Sequence, residues 1–187
     1  MNNLSFIKQY LKNPKTIGAI MPSSKYLAHK MIEDIDFNHS ECIIEYGSGT
    51  GVFTEGLVKN KSEDTKLLLF EYNEDFCKLL KDKFGNEKNV FIINDSCENI
   101  DTYLLKYNIN NVDYIISGLP FASLPQKISE KILTKTRKVL KNDGNFITFQ
   151  YTLLKKDFIK RYFKYIDLKR EFKNIPPAYV FNCVNCK

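Results

Sequence analysis

The chain has 187 residues, 43% of them hydrophobic and 27% charged, which suits one globular domain with a full core and leaves little room for a second. No stretch approaches the roughly 18 apolar residues of a membrane span, and the start, Met1-Asn-Asn-Leu-Ser-Phe, lacks the charged and apolar regions of a secretory signal, so a cytoplasmic location is expected. The net charge of +6 is uneven: residues 1–30 carry five lysines and no acid, residues 31–154 carry 14 basic against 19 acidic residues, and residues 155–173 carry 8 against 3. Basic flanks around an acidic middle suggest an anionic partner.

Along the chain, Leu4, Ile7 and Leu11 recur at helical spacing among Ser5, Lys8, Gln9 and Lys12, which predicts a short basic amphipathic helix over 4–12 that stops before Pro14. Residues 14–24 read as loop, and Ser23 or Ser24 can cap a helix to about Ile35. Strands alternating with helices follow. Strands are predicted at 41–45, 66–71, 90–94, 112–117 and 145–150, with helices at 52–60, 74–84, 100–107 and 126–140, the last closed by Asn142-Asp-Gly144. The expectation is a parallel sheet covered on both faces. A helix near 156–165, a strand at 169–173, a turn at 174–178 and a strand at 179–184 break the rhythm. Two strands joined that closely must be antiparallel.

Of the five cysteines, Cys42, Cys77 and Cys97 fall inside predicted core elements, where reduced buried thiols are the simplest reading. Cys183 and Cys186 have metal-ligand spacing but no second pair, and His29 and His39 are the only histidines. No metal site is expected.

The strongest local signal is the turn Glu45-Tyr46-Gly47-Ser48-Gly49-Thr50-Gly51 at the end of the first strand. Glycines let a backbone turn sharply and approach a ligand. Glu45 would repel a pyrophosphate but suits a cationic amino-acid moiety. S-adenosylmethionine carries an ammonium and a sulfonium and no phosphate. Glu71 ends the second strand 20 residues after Gly51, followed by Tyr72, where a carboxylate can accept from both ribose hydroxyls. Asn94-Asp95-Ser96 ends the third strand, where an acid can accept from an adenine amine. Phe53 is a further packing candidate near the nucleoside. Three carboxylates thus stand at successive carboxyl ends of strands, the edge where such sheets bind ligands.

These residues resemble class I methyltransferases over nearly the whole chain. The resemblance implies a Rossmann-like α/β fold, with a central seven-stranded, mostly parallel sheet and an antiparallel C-terminal hairpin. It implies one domain, with residues 1–35 as basic helix and lid and 36–187 as core. S-adenosylmethionine is then the cofactor and S-adenosylhomocysteine the product. By the resemblance Gly47, Gly49 and Gly51 frame the methionine part, Glu71 holds the ribose and Asp95 the adenine, with Tyr46, Ser48, Tyr72, Ser96 and Ser117 beside them.

The methyl acceptor is expected at the end of the fourth strand, Ser117-Gly118-Leu119-Pro120-Phe121. Adenine and rRNA dimethyltransferases have a similar motif whose Asn or Asp accepts from the exocyclic amine while an aromatic residue stacks on the base. Gly118 falls at the acceptor position and has no side chain; Phe121 could still stack. The motif, with residues 13–24 and Asn174-Ile-Pro-Pro-Ala178, instead resembles bacterial phospholipid N-methyltransferases. That resemblance implies stepwise methylation of phosphatidylethanolamine toward phosphatidylcholine, with the basic N-terminal helix holding the protein at the inner membrane surface. Ser117, Gly118, Leu119 and Pro120 would line the reacting centre. Tyr26, Tyr151 and His29 are candidate proton acceptors or phosphate contacts, His29 reading rather as a helix-surface residue. Nucleic acid is the less favoured partner, a small amine the other alternative, and a monomer is expected.

Overall fold

The computed structural model describes residues 24–186; the expected helix over 4–12 and the 13–23 motif lie outside them. Helix α1 (Lys25–Ile32) starts at Ser24, whose Oγ accepts from the Leu27 amide at 3.2 Å. Then follow β1 (Cys42–Tyr46), α2 (Val52–Asn60), β2 (Lys66–Phe70), α3 (Glu74–Phe84) and β3 (Val90–Ile93). A 3-10 turn (Cys97–Asn99) leads into α4 (Ile100–Lys106), followed by β4 (Val112–Ser117), α5 (Gln126–Val139), β5 (Leu140–Gln150) and α6 (Lys156–Lys160). The hairpin β6 (Tyr165–Glu171) and β7 (Ala178–Val184) ends the described chain.

The seven strands form one sheet in the order β3-β2-β1-β4-β5-β7-β6. The first five are parallel and β7 runs antiparallel to both of its neighbours, as expected. The order reverses direction between β1 and β4, so the loops after these strands diverge and open a crevice at their carboxyl ends. β1 is buried on both faces. Ile44 and Tyr46 point into the core under α4 and α5, while Ile43 joins Leu27, Met31 and Leu57 on the opposite face, under α1 and α2. Lys169 of β6 bonds Glu33 at 2.9 Å and Asp34 at 2.7 Å, which ties the hairpin to the end of α1.

Four boundaries differ from expectation. α1 stops at Ile32, although Ile35 is still buried just beyond it. Residues 142–144 are not a closing turn. β5 begins at Leu140, directly after α5, and a register shift between the pairs Val112–Leu140 and Tyr114–Asn145 absorbs them as a bulge. The Asp113 carboxylate explains the tight junction: it accepts from the Glu41 and Cys42 amides at 2.9 Å and bonds Lys141 at 2.6 Å. α6 is only five residues long, and β6 starts at Tyr165 rather than 169. Cys42, Cys77, Cys97 and Cys183 are buried and Cys186 is exposed, all as free thiols. Burial pushes Cys42 up to about 12 and Cys77 up to about 11, so both thiols stay protonated at neutral pH.

Candidate active site

The turn after β1 is built so that its backbone stands close to everything above the sheet. Gly51, the N-cap of α2, has φ +88°, a conformation that L side chains rarely adopt. A Cβ there would lie 2.8 Å from the Phe84 ring. The start of α2 therefore sits against α3, and the turn is held to β2 by the Gly47 amide donating to the Phe70 carbonyl at 2.8 Å.

A cleft opens above this edge, at the carboxyl ends of the strands where such sheets bind ligands. Gly47, Glu71, Tyr72, Asp95, Ser96, Leu119 and Pro120 line it, all of them expected from the sequence. Phe70, Cys97, Leu124, Ile128 and Ile132 complete an apolar wall that sequence reasoning missed. The last two are core-facing positions of α5.

The carboxylates are the polar part. Glu71 is 2% exposed. Its Oε2 accepts from the Gly49 amide and its Oε1 from the Asn73 amide, each at 2.8 Å. Burial raises its pKa, and these backbone donors oppose the rise. Glu71 thus locks the glycine turn to the end of β2, and each carboxylate oxygen keeps lone-pair capacity for a ligand hydroxyl. Asp95 accepts from the Ser96 amide at 2.7 Å, from Asn99 at 3.0 Å and from the Tyr103 hydroxyl at 3.0 Å. Asn94 donates to the Glu71 and Tyr72 carbonyls at 3.1 Å, a role no sequence signal revealed.

Glu45 is wholly buried on the α2 side, and its Oε2 accepts from the Thr54 hydroxyl at 2.6 Å. Glu45 Oε1 and Ser48 Oγ are buried without a partner of good hydrogen-bond geometry, although the Ser48 hydroxyl stands close enough to Glu45 to oppose the rise in its pKa. Such atoms cost about 1–3 kcal/mol each until something satisfies them. Burial pushes the Glu45 carboxyl up to about 7. Its folded value lies above the ordinary 4.5, so its stabilising contribution is complete below pH 4.5 and is lost as pH rises through about 7. At about 1.4 kcal/mol per pH unit, wild type is expected to lose about 3 kcal/mol of stability relative to Glu45→Gln across that window. Urea unfolding of both proteins across that pH range checks this. Parallel curves would mean that burial does not raise the Glu45 carboxyl in the folded protein.

The loop after β4 closes the other side. Ser117 is fully buried, and its Oγ accepts from the Leu119 amide at 3.2 Å. The Gly118 amide donates to the Tyr46 carbonyl at 2.9 Å, and a Cβ on Gly118 would stand 2.9 Å from the Gly47 carbonyl oxygen. Gln150, 4% exposed at the end of β5, accepts from the Ala122 amide at 3.3 Å and so holds this loop. It is a further residue that sequence reasoning missed; an amide closing an apolar strand was the available signal.

Several candidates stand elsewhere. The Tyr46 side chain points away from the cleft into the core, its hydroxyl 3.3 Å from Thr136 Oγ1, because strand alternation puts it on the face opposite Glu45. The Tyr46 carbonyl instead accepts from the Gly118 amide. Phe53 is buried edge-on against Phe149 at 5.9 Å. Phe121 is fully buried and packs edge-on against Phe146 at 6.0 Å, turned inward by the Pro120 carbonyl accepting from the Ser123 and Leu124 amides. In this arrangement it cannot stack on a base. Tyr26 is 42% exposed, with the Lys173 ammonium 5.0 Å from its ring centre. Tyr151 is half-buried beside Phe149, and burial raises its phenol. Neither lines the cleft. His29 is a surface residue 3.7 Å from Glu33, as expected.

The family model for ribosomal RNA adenine dimethylase matches residues 1–171. The chain belongs to that family. It is an S-adenosylmethionine-dependent methyltransferase, and its sheet is the Rossmann-like methyltransferase sheet. An ornithine lipid N-methyltransferase of Singulisphaera acidiphila is 26% identical over 97% of this chain and 95% of its own length. A ribosomal RNA small subunit methyltransferase A of Borreliella burgdorferi is 33% identical over 72% of this chain, but over only 45% of its own length. An rRNA methylase structure from Streptococcus thermophilus superposes with TM-score 0.64 at 17% identity, covering 90% of this chain and all of that one. A Streptococcus mutans methyltransferase-fold structure in complex with SAH gives 0.63 at 21% identity, covering 84% of this chain and 96% of that one. The residues present fit the cofactor: a buried carboxylate at the glycine turn, with one oxygen lacking a well-formed hydrogen bond, suits its cationic end, and the apolar wall beside Glu71 and Asp95 suits a nucleoside. When bound, S-adenosylmethionine supplies a methyl group activated by its sulfonium. Among the described residues no helix is long and apolar enough to cross a membrane.

Proposed function

We propose that the chain methylates the amine of a membrane aminolipid, with phosphatidylethanolamine taken stepwise toward phosphatidylcholine. The observation that carries this reading is Gly118. At the position where base-amine methylases present an Asn or Asp, this chain has no side chain, and the space a Cβ would take is filled by the Gly47 carbonyl. The inward packing of Phe121 supports it by removing the stacking partner. So does the end-to-end similarity to an ornithine lipid N-methyltransferase.

In this reading Gly47, Gly49 and Gly51 frame the methionine part of the cofactor, with Glu45 and Ser48 toward its charged end. Glu71 holds the ribose, and Asp95 and Ser96 the adenine. Ser117, Gly118, Leu119 and Pro120 line the reacting centre, where their backbone orients a neutral amine. An ammonium cannot attack until it has lost its proton, so the site must also strip water from the amine. Tyr26 and Tyr151, off the cleft lining, serve the approaching headgroup in this scheme. The protein works as a monomer, peripheral on the inner membrane surface.

The family model and the 33% identity to small subunit methyltransferases A favour a second reading, an rRNA adenine methylase. Radiolabelled S-adenosylmethionine offered in parallel with phosphatidylethanolamine vesicles, ornithine lipid vesicles and ribosomal RNA separates the two. Label in the phosphatidylethanolamine fraction is the expected outcome. Label in ornithine lipid alone would change the headgroup, and label in RNA alone would overturn the lipid reading.

A further inference from the structure

The sheet register brings three segments together at the edge that carries the cleft. Gln150 pairs with Tyr179, and Glu171 with Ala178. The loop after β5 and the β6–β7 tip therefore leave the sheet side by side. The start of α1 joins them: the Ser24 amide donates to Asn174 Oδ1 at 3.1 Å. Five of the seven large hydrophobic side chains exposed among the described residues lie on these segments. Leu154, Phe172 and Ile175 are 84%, 65% and 74% exposed, and Leu153 and Tyr26 are partly so. Isolated exposed apolar residues need no explanation, but a group of them at one edge does.

Cations are interleaved with them. Arg170 stacks 4.5 Å over the Phe172 ring, Lys173 lies 5.0 Å from the Tyr26 ring centre, and Lys155 follows Leu154 directly. Apolar tips set among Lys and Arg complement an anionic bilayer, where the tips enter the acyl boundary and the cations meet phosphates.

We infer that the β6–β7 tip and the loop after β5 form a membrane-docking surface for anionic phospholipid bilayers, which sets the cleft against the headgroups. The inference rests on the lipid reading for its purpose, not for its detection. Leu105, 81% exposed, lies at the end of α4, near the Tyr107 carbonyl that bonds Lys66 at the start of β2. It marks the opposite edge of the sheet and serves as a control.

The test is co-sedimentation of the full chain with mixed phosphatidylcholine–phosphatidylglycerol vesicles and with phosphatidylcholine alone. Leu154→Ser, Phe172→Ser and Ile175→Ser together are expected to weaken binding to the mixed vesicles by about tenfold or more. Lys155→Glu with Lys173→Glu should do the same and keeps the apolar residues. Leu105→Ser should bind as wild type, and cofactor affinity should be unchanged in all of these variants. Unchanged vesicle binding in both patch variants overturns the inference. So does a patch that instead mediates self-association, or salt-dependent RNA binding that the patch variants lose while vesicles are ignored. Patch-dependent vesicle binding by a protein that labels no lipid would keep this surface and overturn the lipid-acceptor reading.

Discussion

Glu71→Ala is expected to lower affinity for S-adenosylmethionine and S-adenosylhomocysteine by about 100-fold or more while leaving the protein folded. The Glu71 carboxylate has two tasks in this structure. It accepts from the Gly49 and Asn73 amides, so it sets the distance between the glycine turn and the end of β2. In the proposed site its remaining lone pairs take the ribose hydroxyls. Hydrogen bonds to a charged acceptor contribute about 1.5–3 kcal/mol each, so losing two is worth roughly two to four orders of magnitude in affinity. The fold should survive at reduced stability: the Gly49 and Asn73 amides lose their acceptor, while a carboxylate that is costly to bury, and whose pKa is raised for that reason, is removed. Glu71→Gln should fall between the two proteins, because its amide cannot accept at both positions. Asp95→Ala should cost less. Asp95 is only half-buried, and Ser96, Asn99 and Tyr103 already occupy it. Calorimetric titration with S-adenosylhomocysteine measures all three variants. Wild-type affinity in Glu71→Ala would move the ribose to another part of the cleft.

Most of the sheet was legible in the sequence because its strands are short apolar runs separated by amphipathic helices. The spacing of Ile128, Ile132 and Val139 and the breaks around Gly51 and Asn73 locate α2, α3 and α5 to within a residue or so. The cleft was legible for the same reason. In a parallel sheet the residue that ends each strand is placed by the strand itself, and Gly47, Glu71 and Asp95 follow three such ends.

What was hidden depends on direction and on distant partners. In β1 both faces are buried, so no polar alternation shows that Tyr46 points toward Thr136 while Glu45 points toward Thr54. The bulge at 141–144 exists because Lys141 reaches Asp113 and a Cβ on Gly144 would meet the Asp113 carbonyl at 2.9 Å. The residues Asn142-Asp-Gly144 alone read as an ordinary turn. Phe121 looked available for stacking because its neighbours are loop formers. Its burial follows from Phe146, which lies 25 positions later in the chain and on another strand.

Gly118→Asn is expected to abolish lipid-amine methylation without creating activity on adenine. Restoring the residue type of the base-amine methylases does not restore their site, because here the position is closed by main chain. The added Cβ would stand 2.9 Å from the Gly47 oxygen and 3.6 Å from the Tyr46 oxygen. Both oxygens sit at the end of β1, where Gly47 donates to Phe70 and Gly118 donates to Tyr46. Relief would have to come from separating β1 from β4, not from a side-chain rotation. Overpacking of this kind costs about 1–3 kcal/mol, and Gly47 itself lines the cleft, so cofactor affinity should fall together with stability. Gly118→Ala separates the causes, since it adds the same Cβ without a polar group. Equal losses in Gly118→Ala and Gly118→Asn, read by thermal unfolding, S-adenosylhomocysteine titration and methyl transfer, would make the close approach of the two turns the cause. A Gly118→Asn protein that labelled ribosomal RNA would instead show that the loop can open enough to admit a base, and the lipid reading would lose the observation it rests on.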